Sequence, residues 1–390
     1  MYSTYWDYIS LCIYLAQAII GMVCLRYMIK NSGSIGYVKN LAQPCVLGLL
    51  LVWTLMAAFR LVGWGIGGTD ALGYIQNFNN CLTPSKMSEH STGDICFLWM
   101  QQIVKRFTDN YHIYFIVVYG FIAIAIVTFI KRFNHKIFCS IPLVLAFYLY
   151  LRGYNTLRSN MAIAFILLGL VSVADKHYKY AYFFMLCSLL THKVGILYAM
   201  SIPYLHIAIK RGIKPKYIAI VGVSLLILVP IVRDRFIEYA SMNEMNGAYG
   251  SYARSAMENN DWSSGLTENF MQYLLSLIVI VSTPKIRRVI SNCDMYIYRT
   301  VNMLLYICYF DMMMIPFNVM MGIWRGYEFF YIPRLCMWSV VIYVYTRKMD
   351  SGMKGIAYFL LFAYFIVWFV FRLNRTYEAS DLMPYILDVF

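Results

Sequence analysis

Apolar residues run along this chain in long stretches, separated by short polar or basic breaks. The stretches lie near 8–28, 41–59, 111–130, 137–151, 158–174, 179–191, 194–209, 217–232, 270–283, 296–315, 327–345 and 355–371. A helix needs roughly 20 apolar residues to cross the hydrocarbon core of a bilayer, and the pattern predicts twelve spans. Apolar and polar positions do not alternate inside the stretches, which sets aside the strands of an outer-membrane barrel. The expected fold class is all-α, a polytopic membrane helix bundle. Residues 1–390 read as a single integral membrane domain, with no internal repeat and no low-complexity linker. Three of the runs, 158–174, 179–191 and 194–209, are shorter than a comfortable crossing. Either their boundaries are wider than the apolar pattern shows, or they are partial helices lining a cavity that opens outward.

The breaks between runs carry the orientation. Every second loop is basic: Arg26, Lys30 and Lys39; Lys131, Arg132 and Lys136; Lys176 and Lys179; Lys210, Arg211, Lys214 and Lys216; Lys285, Arg287, Arg288 and Arg299; Arg347, Lys348 and Lys354. Only Asp175, Asp294 and Asp350 oppose them there. Basic loops stay cytoplasmic, so both termini are expected on the outer, periplasmic side. The first run lacks a basic leader and a small-residue cleavage site, and reads as a retained anchor. Two sizeable loops, 60–110 and 233–269, then lie outside, with a shorter outer segment at 316–326.

Composition agrees. With 61% hydrophobic and 13% charged residues, the chain is neither disordered nor an ordinary cytosolic enzyme. A net charge of +14 suits nucleic acid in principle. Its concentration in the short cytoplasmic loops makes it a topology signal instead, and the lipid bilayer, not nucleic acid, is the expected partner. The ten cysteines form no CxxC or Cys/His cluster. Cys81 and Cys96 share an outer loop, where a disulfide suits an oxidising compartment, but spacing leaves the pairing open.

Ionisable groups near the hydrocarbon are costly and mark function or a specific partner. Arg152 closes one run and Arg158 opens the next. Arg152 either snorkels to the interface or faces a ligand. His192 sits at an outer tip, as a ligand or as a structural histidine. Arg325 precedes the run 327–345, and Arg334 lies within it, roughly 10 Å deeper than its start. Pro333 should disturb that helix and loosen nearby carbonyls. Arg334 needs an anionic partner, with Asp311, Glu328 or a bound anion as the choices. In the first outer loop, Gly67-Gly68-Thr69-Asp70 reads as a turn in which Thr69 or Asp70 caps a helix. Alternatively, Asp70 is an exposed carboxylate able to act as a base. No P-loop, HExxH, zinc or dinucleotide motif is present, so no metal or cofactor is expected.

Three segments together resemble the EpsG family of exopolysaccharide and O-antigen polymerases, the Wzy type. They are Arg60 with Gly68-Thr69-Asp70, Tyr74 and Phe78; TLRSNMAIAFILLGL at 156–170 with Thr191-His192 and the run 194–203; and WRGYEFFYIPR at 324–334. Where the family usually carries a Glu near a Gly-Phe pair, this chain has Gly93, Asp94 and Phe97. Ser159 stands where the family often has Gln. The resemblance implies a GT-C-like bundle in the bacterial inner membrane that joins oligosaccharide units linked to undecaprenyl diphosphate. It implies guanidinium groups on the diphosphate, and Arg158, Arg325, Arg334 and Arg60 are assigned there. Asp70 is the preferred base and His192 its rival, with Tyr74, Asp94, Arg152 and Tyr327 as substrate contacts. A chain-length regulator is a further partner of such enzymes. The competing class is a flippase of lipid-linked oligosaccharide, which should show repeat symmetry.

Overall fold

The computed structural model describes residues 4–31, 43–63, 66–68, 70–82, 94–192, 195–212, 262–320, 324–380 and 385–388, with isolated positions between 220 and 235. Most of the eighth run and most of the loop 233–269 lie outside the described residues, as do Thr69 and Lys193. Among the described residues the chain is helical, with no strand beyond two isolated bridges. The helices are α1 (Thr4–Asn31), α2 (Pro44–Ala58), α3 (Ala71–Asn80), α4 (Ile95–Lys105), α5 (Tyr111–Phe133), α6 (Ala146–Arg152) and α7 (Leu157–Ala174). They continue as α8 (Tyr178–Thr191), α9 (Gly195–Ala199), α10 (Ser201–Arg211), α11 (Trp262–Ile290), α12 (Met295–Met320), α13 (Tyr331–Thr346) and α14 (Ser351–Ser380). Short 3₁₀ segments, Ile141–Leu145 and Trp324–Phe330, lead into α6 and α13.

Every predicted run except 217–232 contains one of these helices. Among the described residues, five helices are long and apolar enough to cross a membrane: Tyr8–Asn31, Tyr111–Phe133, Leu157–Ala174, Gly326–Thr346 and Ser351–Leu373. Pro44–Ala58 and Ile141–Arg152 are apolar but shorter. The expected twelve spans thus go beyond what helix length and apolarity establish. The run 194–209 is broken at Met200 into α9 and α10, and α8 has only 14 residues.

Local signals account for the helix ends. Pro44 opens α2 at a position where no backbone donor is needed. Asn110 caps α5 by accepting from the His112 N–H at 2.8 Å, and Lys131 and Arg132 close it at the negative end of its dipole. Pro333 falls in the first turn of α13, where its missing N–H costs nothing. The backbone change expected of it comes just earlier, at the 3₁₀-to-α junction after Phe330.

Leu157–Ala174 (α7) and Gly326–Thr346 (α13 with the end of the 3₁₀ segment before it) are the most enclosed of the five, 83% and 89% buried along their apolar windows. α1 and α14 are the most peripheral, at 28% and 22%. One hydrophobic core links side chains from Tyr14 to Leu373.

Two ends of the bundle are tied by polar contacts. At one, Arg132 donates to Asp175 at 2.5 Å, to the Tyr296 and Thr300 hydroxyls at 3.3 Å and to the Ala174 carbonyl at 3.1 Å. It thereby joins three loops that the charge pattern puts on one side of the membrane. At the other end, residues 385–388 form a strap. The Leu61 N–H donates to the Ile386 carbonyl and the Asp388 N–H to the Phe59 carbonyl, both at 2.7 Å. The Tyr111 hydroxyl donates to Asp388 at 2.6 Å. The Tyr385 hydroxyl donates to the Met56 carbonyl at 3.1 Å, and its N–H to the Ser10 hydroxyl at 2.7 Å. Burial pushes the Tyr385 phenol up to about 12, so it stays a donor at neutral pH.

Candidate active site around the turn 152–158

The segment between α6 and α7 organises one end of the bundle. It begins at Arg152 and ends at Arg158, and both arginines face carboxylates brought from distant parts of the chain.

On one side, Arg158 Nη1 donates to Asp94 Oδ2 at 2.5 Å. Asp94 heads α4 and is buried, 4% exposed. Its other oxygen lies 3.9 Å from Nδ1 of His192, the residue that ends α8. That nitrogen is buried and makes no hydrogen bond. Tyr74 completes the group: its ring lies 5.9 Å from the Arg158 guanidinium, and its hydroxyl donates to the Asn155 carbonyl at 3.4 Å. Four residues expected at the site from sequence, Tyr74, Asp94, Arg158 and His192, therefore meet.

On the other side, Arg152 Nε donates to Glu328 Oε1 at 2.9 Å. Glu328 is 1% exposed, and its Oε2 has no hydrogen-bond partner. Next to it, Arg334 binds Asp311 in bidentate fashion, Nε to Oδ2 at 2.5 Å and Nη2 to Oδ1 at 2.9 Å. The same Nη2 donates to the Tyr327 carbonyl at 2.8 Å. This carbonyl lies in the middle of the 3₁₀ segment that leads into α13. The sequence left Asp311, Glu328 or an anion as partners for Arg334. The fold gives it Asp311 and hands Glu328 to Arg152. Arg325 belongs to the same 3₁₀ segment, and its side chain lies outside the described residues.

Arg60 has a different role from the one expected. It is 1% exposed and boxed by the rings of Phe115, Tyr119 and Tyr154, whose centroids lie 5.0, 5.0 and 4.4 Å from its guanidinium carbon. Its donors go to the Gly67 carbonyl at 2.7 Å, the Tyr119 hydroxyl at 2.9 Å, the Tyr154 carbonyl at 3.1 Å and the Ala57 carbonyl. Arg60 thus closes α2 and folds the glycine-rich loop against the turn, its guanidinium occupied by carbonyls, a hydroxyl and rings among the described residues.

That loop delivers Asp70. Gly67 and Gly68 take φ of +79° and +108°, conformations open to glycine and strained for other residues. A Cβ on Gly68 would meet the Tyr154 carbonyl oxygen at 2.7 Å. Just beyond, the Asp70 N–H donates to Asn155 Oδ1 at 2.7 Å. Asp70 occupies the N-cap position of α3, yet its side chain makes no capping bond. Gly68→Ala should therefore lower stability by about 1–3 kcal/mol and loosen Asp70 from the turn. A melting temperature equal to the parent's would show that the loop can absorb a side chain there.

Two participants were not visible in the sequence. Asn155 joins the Asp70 loop to the turn. Arg372 of α14 is 8% exposed and lies 5.4 Å from the Tyr327 ring centroid. It follows directly on an apolar run, so its sequence context is that of a snorkelling interfacial arginine.

Among the described residues no group of His, Cys, Asp and Glu is arranged to hold a metal ion. The arrangement offers buried carboxylates that fix guanidinium planes, a histidine beside one of them, and tyrosines around both. It is suited to an anionic leaving group and a hydroxyl proton.

Comparison with curated proteins and with solved structures gave no match. The family comparison did: the profile of the EpsG family covers residues 44–387, from the start of α2 into the strap and across every residue of the turn and its partners. The chain belongs to the EpsG family, the family of exopolysaccharide and Wzy-type polymerases.

Proposed function

We propose that this protein is a glycosyltransferase of the bacterial inner membrane that joins oligosaccharide units carried on undecaprenyl diphosphate, working at the periplasmic face. The observation that carries the reading is the meeting of Arg158, Asp94 and His192 at the head of α7, an enclosed apolar helix. Ionisable groups are costly there even when paired, and they mark a functional site.

In the proposed reaction, a hydroxyl oxygen of the incoming lipid-linked unit attacks the anomeric carbon of the growing glycan. The bond from that carbon to the diphosphate oxygen breaks, and the diphosphate leaves with its lipid and the bonding electron pair. His192 takes the hydroxyl proton. Asp94 orients the imidazole and balances its positive charge, a geometry that needs the 3.9 Å separation to tighten. Arg158 and Arg152 face the departing oxygens, where charge develops. Arg325 joins them from the 3₁₀ segment. Tyr74 and Tyr327 offer aromatic faces and hydroxyls to sugar rings. Arg60 and Arg334 hold the loop and the 3₁₀ segment in place. Asp70, anchored by its backbone to Asn155, contacts the acceptor sugar. α8 and the broken pair α9–α10 are too short for a comfortable crossing and leave room for the headgroup below the membrane surface.

The test is incubation of purified protein with a lipid-diphosphate-linked repeat unit. Longer glycan with release of the lipid diphosphate is expected. Unchanged substrate transferred to the other leaflet of vesicles would overturn the reading in favour of a flippase.

A further inference from the structure

Arg152 bonds one oxygen of Glu328, with Nε donating to Oε1 at 2.9 Å. The other oxygen, Oε2, is buried and accepts no hydrogen bond among the described residues. The Arg152 side chain is 13% exposed and that of Glu328 2%, so the carboxylate lies behind the guanidinium as seen from outside. Tyr331 follows three positions later, at the start of α13, a spacing that puts two side chains on one helix face. Tyr331 is 3% exposed, and its hydroxyl also has no hydrogen-bond partner among the described residues. α6 meets both residues of that face. Its Arg152 bonds Glu328, and its Tyr148, one turn earlier, brings its ring centroid to 5.9 Å from that of Tyr331.

The backbone is pinned on both sides of Glu328. The Tyr327 carbonyl accepts from Arg334 at 2.8 Å. The Tyr198 ring stacks on Phe329 with centroids 4.2 Å apart, and its hydroxyl donates to Asn318 Oδ1. These two side chains fill the space beside Gly326, where a Cβ would collide with both. A buried polar atom without a partner is costly, and a segment held in this way cannot readily turn Oε2 toward solvent. A ligand that supplies the missing hydrogen bonds removes that cost.

We propose that Glu328 and Tyr331 form a subsite for a sugar hydroxyl, in which Oε2 accepts a hydrogen bond from the hydroxyl and the Tyr331 phenol donates one to its oxygen. A hydroxyl donates and accepts at once. A lipid-linked diphosphate offers only acceptors and is repelled by the carboxylate. Glu328 thus keeps one oxygen on Arg152, which faces the departing diphosphate, and gives the other to the sugar beside it. The inference rests on the reading that the protein handles a glycan, and it makes Glu328 a selector of hydroxyl-bearing sugars as well as a counter-ion.

The experiment is saturation-transfer NMR on the full-length protein in detergent, with the repeat-unit oligosaccharide freed from its lipid diphosphate by mild acid. Transfer to the sugar is expected with the parent. Glu328→Gln keeps an oxygen for Arg152 and puts an N–H donor where Oε2 was, so its affinity should fall about 10–100-fold. Tyr331→Phe should bind about three- to tenfold more weakly. Its melting temperature should equal or exceed the parent's, because the lost hydroxyl had no protein partner. This second variant carries the test if Glu328→Gln fails to accumulate. Variants that bind like the parent overturn the subsite, as does a Tyr331→Phe melting temperature below the parent's or a parent that shows no transfer. A parent that binds the oligosaccharide through these residues, yet releases no lipid diphosphate in the polymerisation assay, upholds the subsite and overturns the polymerase reading instead.

Discussion

Arg158→Ala is expected to abolish chain extension while the protein still inserts and accumulates. Loss of one charge-stabilising donor in a preorganised site slows turnover by about 10²–10³-fold. The same change strips Asp94 of its 2.5 Å partner. Asp94 is 5% exposed on its side chain, and a carboxylate left unpaired at that depth takes up a proton or draws in His192. Either response also removes the proposed base from duty, so the loss should lie at the severe end. Arg158→Lys keeps the charge but not the planar donor set, and recovery should be partial. The measurement is the ladder of glycan lengths in cells, beside the amount of protein in the membrane. Wild-type ladders from Arg158→Ala would remove this arginine from the site.

Arg334→Ala should act first on folding. Its guanidinium and Asp311 form a bidentate pair with side chains only 8% and 2% exposed. Removing one member of such a pair costs about 3–5 kcal/mol, because the other stays buried and charged. Replacing both by apolar residues of similar volume is often neutral. Arg334→Met with Asp311→Leu should therefore recover the melting temperature that Arg334→Ala loses. Activity should stay depressed, because the Tyr327 carbonyl has lost its donor and the 3₁₀ segment bearing Arg325, Tyr327 and Glu328 is no longer tethered. Thermal unfolding in detergent and the polymerisation assay separate the two effects. If the double variant is as unstable as the single one, the ion pair is not what Arg334 contributes to stability. If it polymerises at the parent rate, the tether is dispensable.

Much of the helical framework is legible in the sequence because it follows one physical rule. An apolar run bounded by basic residues has nowhere to go but the bilayer. The run 111–130 matches α5, 158–174 matches α7, and 179–191 matches α8, each within three residues. The 3₁₀ segments are not legible: Ile141–Leu145 is as apolar as the helix it precedes, and Trp324–Phe330 straddles the boundary between an outer segment and an apolar run. The arginines stand out as charges where charge is costly, but their partners depend on tertiary packing. Arg152 and Glu328 are 176 positions apart. Nothing local tells Glu328 to serve Arg152 and Asp311 to serve Arg334. Arg60 is the clearest case: beside a glycine-rich loop it resembles an open anion ligand. The aromatic box that encloses it comes from α5 and the turn, and only the fold shows it.

The strap at residues 385–388 bears on how the protein is made. Its contacts reach back to Ser10, Met56 and Tyr111, across 375, 329 and 277 positions. A ribosome feeding the chain into the membrane delivers the loop with Arg60 and Asp70 early. The groups that clamp Phe59 and Leu61 emerge only after nearly the whole polypeptide has been inserted. Contacts at such separation are the slowest to form. The end of the bundle that holds the turn 152–158 is therefore completed late, and a chain stalled before Tyr385 holds its arginines without the clasp that sets the loop. Topology mapping by serial truncation and reporter fusion examines that unfinished molecule at every fusion point upstream of Tyr385. Insertion of the reporter at internal loops, with 385–388 intact, examines the finished one.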